Sequence, residues 1–207
     1  MSELHAELAR LGSATVYEAS GREGMVDVGF EQVIPGSRAA GPARTVRCGQ
    51  GDNLMVHAVM ERIEPGDVVV LTMPEPEPVA LVGELLATQA ERRGAAALLV
   101  DAAVRDVEEL RALGLPVWAH WVRVRGAEKA AAGSLDEPVE VGGAEIRPGD
   151  AVVLDEDGVV VVRRERLDEV LEASRERALR EVAKRAKLSE GSLSYDLDGL
   201  RKLVEGE

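Results

Sequence analysis

The chain has a single cysteine, Cys48, in 207 residues, so no intrachain disulfide can form and a zinc site built from several cysteines is excluded. Aromatic residues are scarce, with one Phe, two Trp and two Tyr, so the core must be built from Val, Leu, Ala and Ile. No apolar run approaches the length of a membrane-spanning helix. The opening MSELHAELARLG is charged and periodic, unlike a leader with an apolar centre. These features predict a soluble cytoplasmic protein with no membrane partner. Positive charge is also short: 25 Lys and Arg face 38 Asp and Glu, a formal net charge of -13. Nucleic-acid binding needs a basic surface for counterion release, so nucleic acid is not an expected partner. A small anion can still be bound where basic groups and backbone amides converge. The length suits one substantial domain with a helical appendage, and it can bury a core without disulfide or metal staples.

Ser2 is placed to cap a short helix stopped by Gly12, and Ser13 to cap a second, ATVYEAS, closed by Gly21. Residues 25–50 read as β-rich, with GPARTVRC a turn followed by a strand. GDNLMVHAVMERI carries apolar residues at 54, 55, 58, 59 and 63, which is helical spacing. Next comes strand–helix alternation: DVVVL, the proline-broken loop TMPEPEP, helix GELLATQAERR ended by Gly94, and strand AAALLV. Helix VEELRAL, stopped at Gly114, and strand LPVWAH complete it. This is α/β organisation with parallel strands, in which ligands collect at strand carboxyl ends. EPGDVVVL at 64–71 recurs as RPGDAVVL at 147–154, either a record of two similar β-units or a coincidence of common turns. DEDG after the second copy reads as a hairpin turn; Asp155 and Asp157 lack the remaining ligands of a calcium loop. Residues 164–187 form a long, charged, amphipathic helix.

The stretch LLVDAAVRD, residues 98–106, ends a buried strand in adjacent opposite charges, with Asp101 read as the strand breaker. Two readings stand. Asp106 caps the helix VEELRAL while Arg105 lies in solvent, or the pair grips an anion beside a hard divalent cation. Glu84 stands twenty residues before Arg105, at a helix start where Gly83 permits close backbone approach and free amides can bind an anion. By itself Glu84 reads as a favourable first-turn charge on the helix dipole. His5, His57 and His120 show no ligand spacing.

In order, the segments SATVYEASG, AAGPARTV, GDNLMVHAV, EPGDVVVL, GELLATQAERRG, LLVDAAVRDVEELRALGLPVWA and PGDAVVLDEDGVVVV resemble the RraA-like family. That family includes the class II, metal-dependent pyruvate aldolases acting on 4-hydroxy-4-methyl-2-oxoglutarate and 4-carboxy-4-hydroxy-2-oxoadipate. The resemblance implies an α/β fold: a layered β/β/α swivelling-type domain over 1–163, with a parallel central sheet. A helical extension over 164–207 would pack on a neighbouring subunit in a homotrimer or dimer of trimers. It implies that Asp106 ligates Mg2+ or Mn2+ and that Glu84 holds a metal-bound water. Arg105 would face the C2 oxygen of the 2-oxo acid, and the amides of Gly83, Glu84, Leu85 and Leu86 would hold its carboxylate. Glu181, in LREVAKR, would reach the site of a neighbouring subunit; without the resemblance it is one more solvated charge. The expected activity is aldol cleavage to pyruvate plus a 2-oxo acid, with oxaloacetate decarboxylation as companion. The alternative is a non-catalytic regulator that binds RNase E, like other family members. A methyltransferase label also attached to this family finds no Gly-x-Gly-x-x-Gly here. The chain departs from its relatives at Ala102, often glycine; at His120 and Trp121, where Arg-Gly is common; and in TMPEPEP.

Overall fold

A computed structural model of the chain describes residues 2–206. Helix α1 (Glu3–Leu11) is capped by Ser2, whose hydroxyl accepts the His5 amide, and stops at Gly12. Helix α2 (Ser13–Ala19) starts at once. Ser13 is not its side-chain cap as expected, because it is the first helical residue after Gly12. Its hydroxyl and its amide both donate to Asp155, which arrives from 142 residues away. The start of α2 is therefore capped by a tertiary contact that no local pattern announces.

The strands are β1 (Glu31–Gln32), β2 (Ala39–Arg47), β3 (Val68–Thr72), β4 (Ala80–Val82), β5 (Ala97–Val104), β6 (Val117–Val122), β7 (Ser134–Leu135), β8 (Val139–Val141), β9 (Ala144–Ile146), β10 (Ala151–Leu154) and β11 (Val159–Val162). The main sheet runs β1-β6-β5-β3-β2-β10-β11, with β4 added on β5 and β7 on β2. Strands β2, β3, β5 and β6 are parallel neighbours, β4 is parallel to β5, and the remaining pairings are antiparallel. Strand β2 exchanges partners midway: Ala39–Pro42 face β10, and Ala43–Arg47 face β3. Gly41 and Pro42 thus lie inside a strand, where the sequence suggested a turn. Pro42 falls at the change of partner. The result is a mixed α/β fold around a curled, mostly parallel sheet.

Helices α3 (Leu54–Val59), α4 (Glu84–Arg92) and α5 (Val107–Leu113) cover one face, packing Val56, Leu86 and Leu110 on Leu71, Leu98 and Val100. Helix α3 is shorter than the periodicity to residue 63 suggested. The hairpin β8–β9 covers the other face, packing Val139 and Ile146 on Val70, Leu99 and Trp118. With both faces covered, the central strands read as continuous apolar runs instead of alternating. Each fully buried Val or Leu contributes roughly 1.5–3 kcal/mol relative to exposure. Cys48 is buried in the helix-side cluster, and desolvation pushes its thiol up to about 12.

The two Pro-Gly-Asp turns use the same device. Asp67 accepts the amide of Glu64 at 3.0 Å, and Asp150 accepts that of Arg147 at 3.0 Å. Each also holds an arginine, Arg44 at 2.9 Å and Arg163 at 2.8 Å. The strand after the first turn runs parallel to β2 and the strand after the second antiparallel. What repeats is the turn, not a β-unit.

After a 3₁₀ turn at Arg164–Arg166, helix α6 (Leu167–Ser189) packs its first turns on α1, α2 and the β10–β11 hairpin through Val170 and Leu171. Further along, Leu179 and Val182 are exposed. Helices α7 (Ser194–Leu197) and α8 (Arg201–Glu205) bury no residue, and Leu203 is 82% exposed. Among the described residues no helix is long and apolar enough to cross a membrane.

Candidate active site

Strand β5 does not break at Asp101 as the sequence suggested. It continues, fully buried, to Val104. Only then does the chain turn out, with the Arg105 amide still held by the Val82 carbonyl of β4 at 3.0 Å. Asp106 takes left-handed backbone angles (φ 60°, ψ 46°) at the head of α5, and its side chain makes no capping bond there. Non-glycine residues in this region carry strain of about 1 kcal/mol or more, a cost found mostly at functional positions. The capping reading of Asp106 is thereby removed. Its Oδ2 instead accepts the amide of Glu84, at the head of α4, at 3.0 Å. Arg105 Nε stands 3.8 Å from the same oxygen.

Two glycines make this packing possible. A Cβ on Gly83 would lie 2.3 Å from Asp106 Oδ2 and 3.2 Å from Arg105 Cγ. A Cβ on Gly126 would lie 2.7 Å from Arg105 Nη1. The Arg105 side chain therefore runs between two backbone surfaces. The pair opens on a cleft of about 220 Å³, whose other walls include Asn53, His57, Leu86 and Lys129. Lys129 rides on the loop after β6. Asp52 organises that loop, accepting the amides of Ala130 and Ala131 and, at 2.7 Å, that of Leu54. Burial alone would raise the Asp52 carboxyl, but the three amide donors outweigh it and hold it below the usual range. The neighbouring Asn53 donates to the Leu81 carbonyl at 2.9 Å, while its Oδ1 is buried without a partner among the described residues.

The other sequence candidates are spread more widely. The Glu84 amide is already given to Asp106, and its carboxylate accepts the Thr88 hydroxyl at 2.9 Å. The first four amides of a helix lack an internal partner, which leaves those of Gly83, Leu85 and Leu86 for an anion. Leu85 is 76% exposed at the rim and Leu86 is buried below it. Glu181 lies on α6, paired with Arg177 at 2.9 Å, and within one chain it is not brought to the cleft. His57 lines the cleft, whereas His120 and Trp121 do not. Asn53, Gly126 and Lys129 are cleft residues that the sequence does not single out. Their segments carry no local signal: Asn53 is held to β4 by its bond to the Leu81 carbonyl, and Gly126 and Lys129 reach the cleft on the β6–β7 loop that folds onto Asp52.

Among the described residues no three His, Cys, Asp or Glu side chains gather as a metal cluster. The donors present still suit a hard divalent cation that keeps most of its waters, since such an ion needs only one or two carboxylates. Asp106 is half exposed on the cleft, with Oδ1 free of hydrogen bonds among the described residues.

The sequence model of the RraA-like family, described as Aldolase/RraA, matches residues 13–161. A protein of Halalkalibacterium halodurans named "Putative 4-hydroxy-4-methyl-2-oxoglutarate aldolase" is 32% identical over 157 residues, 76% of this chain and 75% of that one. Among solved structures, RraAS2 of Streptomyces coelicolor, an unusual member of the RNase ES inhibitor RraA family, superposes with a TM-score of 0.79. It is 30% identical over 89% of this chain and 96% of that chain. The S-adenosylmethionine:2-dimethylmenaquinone methyltransferase of Geobacillus kaustophilus superposes with a TM-score of 0.68. It is 31% identical over 73% of this chain and 94% of that chain. The cleft between α4 and β5, the curled sheet beneath it and these likenesses agree: the chain belongs to the RraA-like family.

Proposed function

We propose that this protein is a class II aldolase. It cleaves 4-hydroxy-2-oxo acids of the 4-hydroxy-4-methyl-2-oxoglutarate type to pyruvate and a second 2-oxo acid, and it decarboxylates oxaloacetate. The observation that carries this reading is Asp106, turned away from its own helix and held by the Glu84 amide so that it and Arg105 face one cleft.

Asp106 would hold Mg2+ or Mn2+, with Glu84 contributing through water. The bound ion supplies Lewis-acid polarisation of the substrate's 2-oxo group. The amides of Gly83, Leu85 and Leu86 at the head of α4 receive the carboxylate next to that group. When the bond between C3 and C4 breaks, its electron pair moves toward the C2 oxygen, and the Arg105 guanidinium meets the growing negative charge. Gly83 and Gly126 hold that guanidinium in place beforehand, so little reorganisation is needed during the reaction. Lys129, which also lines the cleft, suits a second carboxylate on the substrate. The proton of the 4-hydroxyl must leave as the carbonyl of the second product forms, and Glu84 and Glu181 are the carboxylates we assign to that transfer.

Glu181 would come from a neighbouring copy in a homotrimer or a dimer of trimers. The exposed apolar residues of α6, α7 and α8 supply a surface for such packing. We place the activity in the cytoplasm. The test is pyruvate release from oxaloacetate and from 4-hydroxy-4-methyl-2-oxoglutarate, with Mg2+ or Mn2+ and with chelator. Turnover that needs the metal is expected, and none on either substrate would sink the proposal. The second reading, regulation of RNase E by protein binding, is favoured by the likeness to RraAS2. It requires inhibition by the wild type that survives Asp106→Ala.

A further inference from the structure

Strand β5 is irregular just before the site. Val100 pairs with Ala119 and Ala103 with Trp121, so Asp101 and Ala102 together stand opposite the single residue His120. This is the count of a β-bulge, a device that bends a strand and re-aims the residues beyond it. The side chains at the irregularity are unusual. Asp101 is only 4% exposed, and its one ionic partner among the described residues is His120, with Nδ1 3.0 Å from Oδ1. The contact is not a regular hydrogen bond, and neither atom has another partner among the described residues.

The imidazole is fixed from its other sides by aromatic rings. Trp121 stacks on it at 4.2 Å between centroids and 15° between planes, and Phe30 lies 5.6 Å away. The next residues of β6 are tied to the end of β5. Trp121 registers with Ala103 and Val122 with Val104, and the Arg123 amide donates to the Val104 carbonyl at 3.0 Å. The bulge is thus connected on both strands to the point where Arg105 leaves the sheet.

We propose that Asp101 and His120 are positioning residues: their ion pair holds the β5 bulge and so sets the direction in which Arg105 and Asp106 enter the cleft. The physical basis is the cost of a buried carboxylate without a partner. Burial pushes the Asp101 carboxyl above the usual range, and the facing imidazole offsets this in part. A cationic ring there would balance the carboxylate, a neutral ring would leave it without a counter-charge, and the bulge is the segment that can adjust. The groups facing the imidazole are Asp101 from β5, Phe30 ahead of β1 and Trp121 on its own strand. The charged residue of β1, Glu31, registers with Ala119, which packs in the helix-side cluster on the opposite face. His120 makes no other ion pair among the described residues.

The consequence for turnover rests on the proposed aldolase reading; the geometry does not. The test tracks the backbone amide signals of Arg105 and Asp106 by 1H–15N NMR of the full chain across the titration of the His120 ring. In the wild type both amides are expected to shift with the same midpoint as the ring. In His120→Gln, which keeps polarity but cannot titrate, that phase should vanish. Amides that stay still in the wild type while His120 titrates, or that move identically in His120→Gln, would overturn the inference. Should the variant fail to fold, the wild-type titration alone decides. In kinetics, His120→Gln should lower kcat on oxaloacetate by about tenfold to a hundredfold, the scale of small misplacements at a reacting centre. The neutral pair Asp101→Asn with His120→Gln should recover most of it, a rescue that simple destabilisation would not give. A wild type that leaves oxaloacetate intact sinks the proposed function, while the amide signals still decide the positioning role.

Discussion

Asp106 Oδ2 accepts the backbone amide of Glu84 at 3.0 Å, tying the head of one helix to the residue that opens the next. The carboxylate has two separable properties here, its acceptor oxygen and its charge. Asp106→Asn keeps the first and removes the second. We expect kcat on oxaloacetate to fall on the order of a hundredfold or more, as for loss of a preorganised charge. Urea unfolding should stay within about 1 kcal/mol of wild type, because a neutral acceptor still serves the amide. An active Asp106→Asn would remove the ligand role.

Gly83→Ala should abolish turnover while leaving circular dichroism unchanged. The backbone at Gly83 is extended (φ -131°), so alanine brings no backbone strain. Its methyl would meet Asp106 Oδ2 and the Arg105 stem. Gly126→Ala meets only the flexible end of Arg105 and should be milder, with kcat falling more than KM rises. Equal effects of the two variants would contradict the idea that the Arg105 stem and Asp106 matter most.

Lys129→Met should separate substrates. KM for substrates with a distal carboxylate should rise about tenfold, the loss of one charge-assisted contact. Inhibition by pyruvate, which lacks that carboxylate, should hardly change. A uniform effect on both would place Lys129 elsewhere in the chemistry.

Much of this site is legible in the chain. Arg105, Asp106, Gly83 and the head of α4 stand out because strand ends, glycines and helix starts leave local marks. Asp101 misleads because a charged residue ordinarily ends an apolar run, whereas here it stays buried in β5 with His120 of β6 facing it. Ser13 misleads for a similar reason, its partner Asp155 being set by tertiary packing. Strand β4 is hidden inside the segment between TMPEPEP and α4, since three apolar residues cannot be told from a helix start.

Asp155→Ala should cost about 2–4 kcal/mol in urea unfolding, combining a lost helix cap with buried donors left unpaired. The carboxylate accepts from Ser13 twice and from the Asp157 amide at 3.0 Å. A calcium titration should leave the wild-type stability unchanged, because those bonds occupy the carboxylate. A loss near zero for Asp155→Ala would show that α2 is held by its apolar contacts alone.

Asp136 provides an acid-sensitive tie. It bridges Arg44 at 3.0 Å and Arg62 at 2.9 Å. Burial opposes ionisation there, but the two guanidinium groups win and hold the carboxyl below its usual range. The folded-state value is therefore the lower one. The stabilisation is fully present above the unfolded value of about 3.9 and is lost as pH falls through the folded value. Between pH 5 and pH 3 the urea midpoint of the wild type should drop more than that of Asp136→Asn. Parallel curves would remove this contribution.

The buried Cys48 has a practical consequence. A thiol pushed up to about 12 and sealed in the core does not react with maleimides at neutral pH. A cysteine introduced at Val124, exposed and outside α6–α8, would then be the sole labelling point on the native chain. Spin labels placed there could measure distances between copies directly, with the wild-type Cys48 left in place.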